Sequence, residues 1–398
     1  MSQQPAAQPS SPSDSLAARL RELAVLFVKL GAISFGGPAA HIALIETEVV
    51  GKRRWVTRQQ FLDMLGAANL IPGPTSTETA INVGYARAGW PGLCVAGASF
   101  IIPAALITGA FAWAYVRFGS LPQAAAILAG IKPAVLAVIA IAIWRLGKTA
   151  VKDLGLAALG ALALAAFFFG LNAVAILFGG GLLGMIARRI TKLRATAALV
   201  LAPFLRLPSP GTIVLFSATL PPSLGRIALF FLKVGAVLYG GGYVLLAFLE
   251  LGLVRQHAWL TQQQLLDAVA IGQFTPGPVL STATFIGYIL GGVPGAAVAT
   301  LGIFLPSFFY VALLAPVLFR LRQSAWIAAF LDSVNVCAVA LMAGVTFRLG
   351  ADALRGWAAW LIALLSFGVL LRWRVSPAWV VLGGGLAGLL FAAARGPW

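Results

Sequence analysis

The feature that most constrains this chain is an interruption written twice. Asn69-Leu-Ile-Pro-Gly-Pro-Thr-Ser-Thr-Glu78 breaks an apolar run with prolines, a glycine and a row of hydroxyls. Gln273-Phe-Thr-Pro-Gly-Pro-Val-Leu-Ser-Thr282 repeats its Pro-Gly-Pro core 204 residues later. The same offset carries the upstream flank without a gap: Lys29 falls on Lys233, Gly36-Gly37 on Gly240-Gly241, Glu46 on Glu250, Trp55 on Trp259, Thr57 on Thr261 and Asp63 on Asp267. Downstream the offset is 203, which pairs Gly84-Tyr85 with Gly287-Tyr288, Pro103 with Pro306 and Arg145 with Arg348. A register held this long marks a tandem duplication, so any mechanism has to be read on two copies.

The surroundings of the repeated motif are those of a membrane protein. The chain is 60% hydrophobic and 10% charged, whereas soluble domains carry about 25% charged residues. Apolar runs at 90–116, 128–144 and 293–319 are long enough to cross a bilayer as helices. The fold class expected is therefore an all-α integral membrane protein of two duplicated halves. The formal charge of +17 does not require a nucleic-acid partner, because the basic residues sit in short runs between apolar segments, as in Lys52-Arg53-Arg54 and Arg372-Trp-Arg374. Such runs are topology signals that hold a loop on the cytoplasmic side. Cys94 and Cys337 lie in apolar stretches and indicate neither a disulfide nor a metal site.

In chain order, residues 1–18 read as a disordered tail that is not a signal peptide, 19–205 as the first repeat, 206–226 as a linker and 227–398 as the second repeat. A first span over 23–45 is broken at Phe35-Gly36-Gly37-Pro38, and its copy over 227–251 at Tyr239-Gly240-Gly241-Gly242. Thr57 with Gln60, and Thr261 with Gln264, have capping-box spacing and predict a helix start at each threonine. From Thr57 to the Pro-Gly-Pro there are about 15 residues, roughly 22 Å of helix against a hydrocarbon core of ~30 Å. Residues 57–87 and 261–290 are thus expected to be broken, re-entrant elements. Four further spans follow in each half, at 90–116, 123–146, 154–170 and 172–187, then at 293–319, 326–347, 357–371 and 379–394.

That gives five crossings per half, about ten in all, and an odd number inverts the second half. The loss of the basic triplet around Arg255 fits inversion. If the broken elements cross instead, each half has six spans and both copies point the same way.

Non-helical backbone at membrane depth survives only where protein buries it or water reaches it, so each break implies a site. A half-helix starting after Pro74 offers free N–H groups and a positive dipole end, which suit an anion. Paired broken helices in corresponding repeat positions point to a transporter's substrate site. The candidate binding residues are Asn69, Pro72, Gly73, Pro74, Thr75 and Ser76 in the first copy, and Gln273, Thr275, Pro276, Gly277, Pro278, Ser281 and Thr282 in the second. Lys29 and Lys233, each just before a Gly-Gly break, would attract an anion or else snorkel or pair with a carboxylate. Gly36, Gly37, Gly240 and Gly241 would admit a ligand or close helix packing. Glu78, Asp63 and Asp267 are the proton-coupling candidates; Glu78 faces Thr282 across the repeat, so its role is asymmetric. His41 and His257 have no counterparts in the other half and read as structural.

Other chemistries fail on their residues. Gly147-Lys148-Thr149 resembles the end of a P-loop, but Ala142 stands where its first glycine must be, so no ATP site is expected. No His-Glu-x-x-His and no Gly-x-Ser-x-Gly occurs, which leaves a non-enzymatic chain without cofactor or metal.

These motifs, together with Arg53-Arg54-Trp55 and Trp259-Leu-Thr261, resemble the chromate ion transporters in their long, two-domain form, over nearly the whole chain from about Arg21. The resemblance implies a multi-pass protein of the cytoplasmic membrane that exports chromate, with sulfate as the structural analogue. The driving force would be the membrane potential or a proton gradient, and the result chromate resistance. Single-domain members inserted in opposite orientations agree with an inverted repeat. Export is physically reasonable, since a dianion leaving an inside-negative cell gains about 4.6 kcal/mol per 100 mV. Oxyanion import and a lipid-handling role stand as rivals, the latter lacking a nucleophile or metal cluster. The sequence sets no oligomeric state.

Overall fold

A computed structural model describes residues 15–35, 37–119, 121–190, 222–239, 242–314, 324–373 and 375–395. Among these every regular element is helical. The first repeat runs α1 Leu16–Ile33, α2 Pro38–Glu46, α3 Arg58–Ala68, α4 Thr75–Phe118, α5 Pro122–Ala150, α6 Leu154–Phe168 and α7 Ala173–Ile190. The second follows the same order with α8 Leu224–Val237, α9 Leu245–Leu249, α10 Gln262–Phe274, α11 Thr282–Leu314, α12 Ala325–Ala353, α13 Trp357–Arg372 and α14 Pro377–Arg395. Five of these segments are long and apolar enough to cross a membrane: Thr75–Phe118, Pro122–Ala150, Val279–Leu313, Trp326–Ala353 and Pro377–Ala394. The chain is a multi-pass membrane protein.

Boundaries differ from expectation where local hydrogen bonds decide them. Ser15 accepts from the Ala18 N–H and starts α1 inside the stretch expected as tail, and Ser223 caps α8 through the Arg226 N–H inside the expected linker. The rest of both stretches lies outside the described residues. The loop expected after residue 46 is a π-helical extension of α2, Thr47–Lys52, and the second copy repeats it at Glu250–Gln256. Both capping boxes form as expected, at Thr57 with Gln60 and at Thr261 with Gln264.

The long helices α4 and α11 each reverse near their first third. Helical geometry fails at Ala88-Gly89 and again at Gly291-Gly292, with φ of 62° at Gly89 and 61° at Gly292, a conformation that favours glycine. The two limbs then lie face to face, so that a Cβ on Gly84 would strike the Gly92 carbonyl and one on Gly287 the Gly295 carbonyl. Small residues at these crossings allow backbone-to-backbone packing where apolar lipid supplies no hydrophobic drive.

Packing between the halves is an exchange. α5 of the first repeat lies against α13 and α14 of the second, and α12 of the second lies against α6 and α7 of the first. Gly130 on α5 approaches the backbone of Gly384 and Gly388, while Gly180 and Gly184 on α7 receive Cys337 and Ser333 of α12. The contacts thus swap reciprocally between the repeats. Neither half's long central helix is covered without the other.

Candidate functional site

Each Pro-Gly-Pro turn docks on the end of a helix of the other repeat. The Gly73 N–H donates to the Leu238 carbonyl at 2.7 Å, and the Gly277 N–H donates to the Ser34 carbonyl at 2.8 Å. Ser34 and Leu238 end α1 and α8 in the same extended conformation, ψ 97° at each. Each Pro-Gly-Pro turn is therefore tied to the helix end that precedes the other repeat's glycine break. The flanking prolines lack N–H groups, so the glycine between them is the turn's own donor. Its positive φ, 140° at Gly73 and 87° at Gly277, is one that side chains rarely adopt. Tyr239 adds a second tie by donating its hydroxyl to the Leu70 carbonyl at 3.1 Å.

Beyond this shared frame the two turns differ. After the first, α4 begins directly at Thr75 with Pro74 as N-cap and no side-chain cap. The Pro74 carbonyl takes the N–H groups of Thr77 and Glu78 at 2.8 and 3.0 Å. Thr75 hydroxyl donates to Asn69 at 3.4 Å, and Ser76 Oγ lies 3.4 Å from His41 Nδ1, whose Nε2 is 3.1 Å from the Ser34 carbonyl. Ser34 Oγ, Thr77 Oγ1 and Glu78 Oε2 are buried with no hydrogen-bond partner among the described residues. Glu78 is fully buried. It receives the Ser307 hydroxyl at 3.4 Å on Oε1, and no cation pairs with it among the described residues.

After the second turn a short 3₁₀ segment, Val279–Ser281, precedes α11. Its hydroxyls are already engaged: Thr282 donates to the Val279 carbonyl at 2.8 Å, Ser281 Oγ accepts from Thr108 at 3.2 Å, and Thr275 donates to the Gly272 carbonyl at 3.3 Å. Gln273 and Thr282 line a small void beside α9 and α5.

The remaining candidates fall elsewhere. Lys29 is exposed, with Nζ 3.6 Å from Glu48, a carboxylate that also holds Lys52 at 2.9 Å and Arg53 at 3.6 Å. The carboxylate-pairing alternative describes its position. Lys233 is exposed as well. Burial, followed by the nearby charges of Lys233 and Arg226, holds His257 below the ordinary histidine range. Gly37 is the N-cap of α2 at φ 81°, while Gly36, Gly240 and Gly241 lie outside the described residues.

Asp63 accepts from Gln59 at 3.1 Å in the middle of α3. Its repeat partner Asp267 is buried, 3.1 Å from Lys132 Nζ, and accepts the Tyr115 hydroxyl at 2.9 Å. Lys132 was not among the expected candidates, and His41, expected as structural, lies beside Ser76. The signal for both was a lone ionisable residue inside an apolar helix.

Comparison with known proteins accounts for the duplication. The family model described as "Chromate transporter" matches residues 21–185 and again 225–389. A "Chromate transport protein" of Cupriavidus metallidurans is 33% identical over 380 residues, which cover 93% of each chain. A "Probable chromate transport protein" of Synechococcus elongatus is 32% identical over 399 residues, 95% of this chain and 98% of that one. The "Uncharacterized transporter YwrA" of Bacillus subtilis is 32% identical over 123 residues, 31% of this chain but 69% of its own length, as expected of a single repeat. No solved structure matches the chain. With both repeats matched and near full-length relatives above 30% identity, this chain belongs to the chromate transporter family.

Proposed function

We propose that this protein carries chromate, a tetrahedral dianion of the sulfate class, out of the cytoplasm across the cytoplasmic membrane and so confers chromate resistance. The observation that carries this reading is the first Pro-Gly-Pro turn. An uncapped helix start directs its dipole and first N–H groups out of the turn, beside the half-buried Thr75 hydroxyl, the buried Ser76 hydroxyl and the orphaned, buried Thr77 hydroxyl. Orphaned donors at a buried helix N-terminus suit an oxyanion that has shed its hydration shell. The two-fold exchange supports inverted repeats whose axis lies in the membrane plane, with about ten crossings and two re-entrant turns. The relatives' printed names support chromate as the substrate.

Glu78 belongs to the same site and constrains its cycle. A buried carboxylate with a single donor and no cation would repel an anion at the neighbouring helix start, so a proton has to neutralise it when the oxyanion is bound. One proton moved together with one dianion leaves one net negative charge transferred per cycle, and the potential favours exit by about 2.3 kcal/mol per 100 mV. Joint binding of proton and anion also favours a second reading, proton-linked oxyanion import. Flux of radiolabelled chromate in everted vesicles, with sulfate as competitor, separates the two. Accumulation inside everted vesicles supports export, uptake by whole cells supports import, and no flux in either overturns both.

A further inference from the structure

The buried ion pair between the repeats stands beside a cavity that the Pro-Gly-Pro site does not use. A cavity of about 510 Å³ lies between the start of α10, the end of α12 and helices α13 and α14. Its rim carries Thr261, Gln262, Gln263 and the Asp352–Arg355 pair, 3.1 Å apart, of which Thr261, Gln263, Asp352 and Arg355 are exposed. Charges and amides in that density mark an aqueous mouth, not a lipid-facing crevice. At its inner wall is Lys132, a cation in the middle of α5 with a side chain 11% exposed.

Lys132 is held by Asp267 Oδ1 as an ion pair at 3.1 Å without hydrogen-bond geometry, and Asp267 does not depend on Lys132 alone. Its other oxygen accepts from Tyr115, so the carboxylate keeps a donor if the lysine turns away. The three residues come from α4 and α5 of the first repeat and α10 of the second, and no other charged residue pairs with them among the described residues. From Asp267 the same helix continues six residues to Gln273, roughly 9 Å at 1.5 Å per residue, and ends at the second Pro-Gly-Pro turn. The cavity, Lys132 and the turn are thus strung along one helix.

We propose that this cavity is a second oxyanion station, where an arriving tetrahedral dianion displaces the Asp267 carboxylate from Lys132 before passing to the turns. Asp267 acts as an internal competitor that neutralises the buried lysine while the station is empty. A buried cation without such a partner is strongly disfavoured, and a partner that held it from both oxygens would not yield to the substrate. The start of α10 contributes backbone N–H groups and the side-chain amides of Gln262 and Gln263 at the outer end of the same space. The inference rests on the oxyanion reading above. It adds a binding site and a cation–carboxylate exchange to that reading.

The test uses the full chain in membranes, in a Cys94→Ala, Cys337→Ala background with Ala359→Cys on the cavity wall. Labelling by an impermeant maleimide reports access, and added sulfate should slow it. The neutral pair Lys132→Gln with Asp267→Asn avoids a stranded buried charge and should raise the half-protecting sulfate concentration by about tenfold or more, as loss of a charged hydrogen bond requires. Asp267→Asn alone should lower that concentration severalfold, because Lys132 loses its competitor. A purely structural ion pair would not tighten sulfate protection when broken. No protection in the parent, or protection unchanged in both variants, overturns the station. Chromate flux in the same membranes is scored separately. Absent parental flux with intact Lys132-dependent protection refutes the transport reading and leaves an anion site, whereas flux with Lys132-independent protection refutes the station alone.

Discussion

The two Pro-Gly-Pro turns share a backbone and differ in chemistry. In both, the glycine N–H reaches the terminal carbonyl of the opposite repeat's helix, at 2.7 and 2.8 Å. Yet the first turn leads straight into an α-helix beside a buried histidine, an orphaned hydroxyl and an uncompensated carboxylate. The second leads into a 3₁₀ segment whose hydroxyls already have partners, with Leu245 and Thr282 where the first copy has His41 and Glu78. Duplication kept what two-fold docking needs and released the side chains that docking does not use. In the function proposed above, the first turn binds and the second props it.

The comparison breaks first at the glycines, where the turns should behave alike. Gly73→Ala places a Cβ against the Glu78 carboxylate and the Ser307 hydroxyl at φ 140°, and Gly277→Ala places one against Ala104 and the Gly31 carbonyl at φ 87°. Strain of about 1–3 kcal/mol at each should cut chromate flux in everted vesicles by about tenfold or more in both variants. A tolerated Gly277→Ala would dissolve the shared frame.

The hydroxyls should then separate the turns. Ser76→Ala is expected to weaken sulfate competition roughly tenfold, since a hydrogen bond to a charged group is worth about 1.5–3 kcal/mol. Ser281→Ala, whose hydroxyl serves Thr108, should leave apparent affinity unchanged. Equal losses would make the sites equivalent.

Glu78→Gln sharpens the asymmetry with a smaller effect. A permanently neutral side chain should keep sulfate competition while flattening the dependence of flux on pH, which initial rates across a pH series would reveal. A retained pH dependence would move proton coupling to another group. The smallest effect belongs to Lys29→Gln. The buried Glu48 keeps Lys52 and Arg53, and Lys29, itself exposed at 3.6 Å from it, contributes about 0–1 kcal/mol, so flux should stay within roughly twofold of the parent. A larger loss would return Lys29 to the substrate path.

Much of this was legible in the sequence because it is local. The capping boxes at Thr57 and Thr261, the breaks at Pro72–Pro74 and Pro276–Pro278, and the apolar helices from α5 onward follow from spacing and composition. The breaks at Ala88-Gly89 and Gly291-Gly292 fall in the gaps between the elements expected over 57–87 and 90–116 and over 261–290 and 293–319, but the folding back of the two limbs was hidden, because glycine in an apolar run marks a bend without giving its angle. The docking was hidden for a different reason. The Gly73 to Leu238 bond joins backbone atoms far apart in the chain, and backbone donors leave no residue-type signature. Repeat alignment also misled where it was trusted to transfer roles. Asp63 and Asp267 align perfectly but sit in unlike surroundings, because Lys132 and Tyr115 reach only the second. Lys29 looked aimed at the break, and the π-helical extension of α2 brings Glu48 to it instead.

The central claim is that the first break exists to expose helix-terminal donors to an oxyanion. Pro72→Ala with Pro74→Ala tests it most directly, because each proline forbids a backbone hydrogen bond that continuous helix would recover. Chromate flux and sulfate competition should be measured alongside thermal unfolding in detergent. The expected result is flux and competition lost together while the unfolding temperature holds or rises, since the recovered bonds consume the donors that the anion uses. Flux retained in the double variant, or lost only in step with unfolding, would contradict the account and leave Pro-Gly-Pro as a bend in the chain.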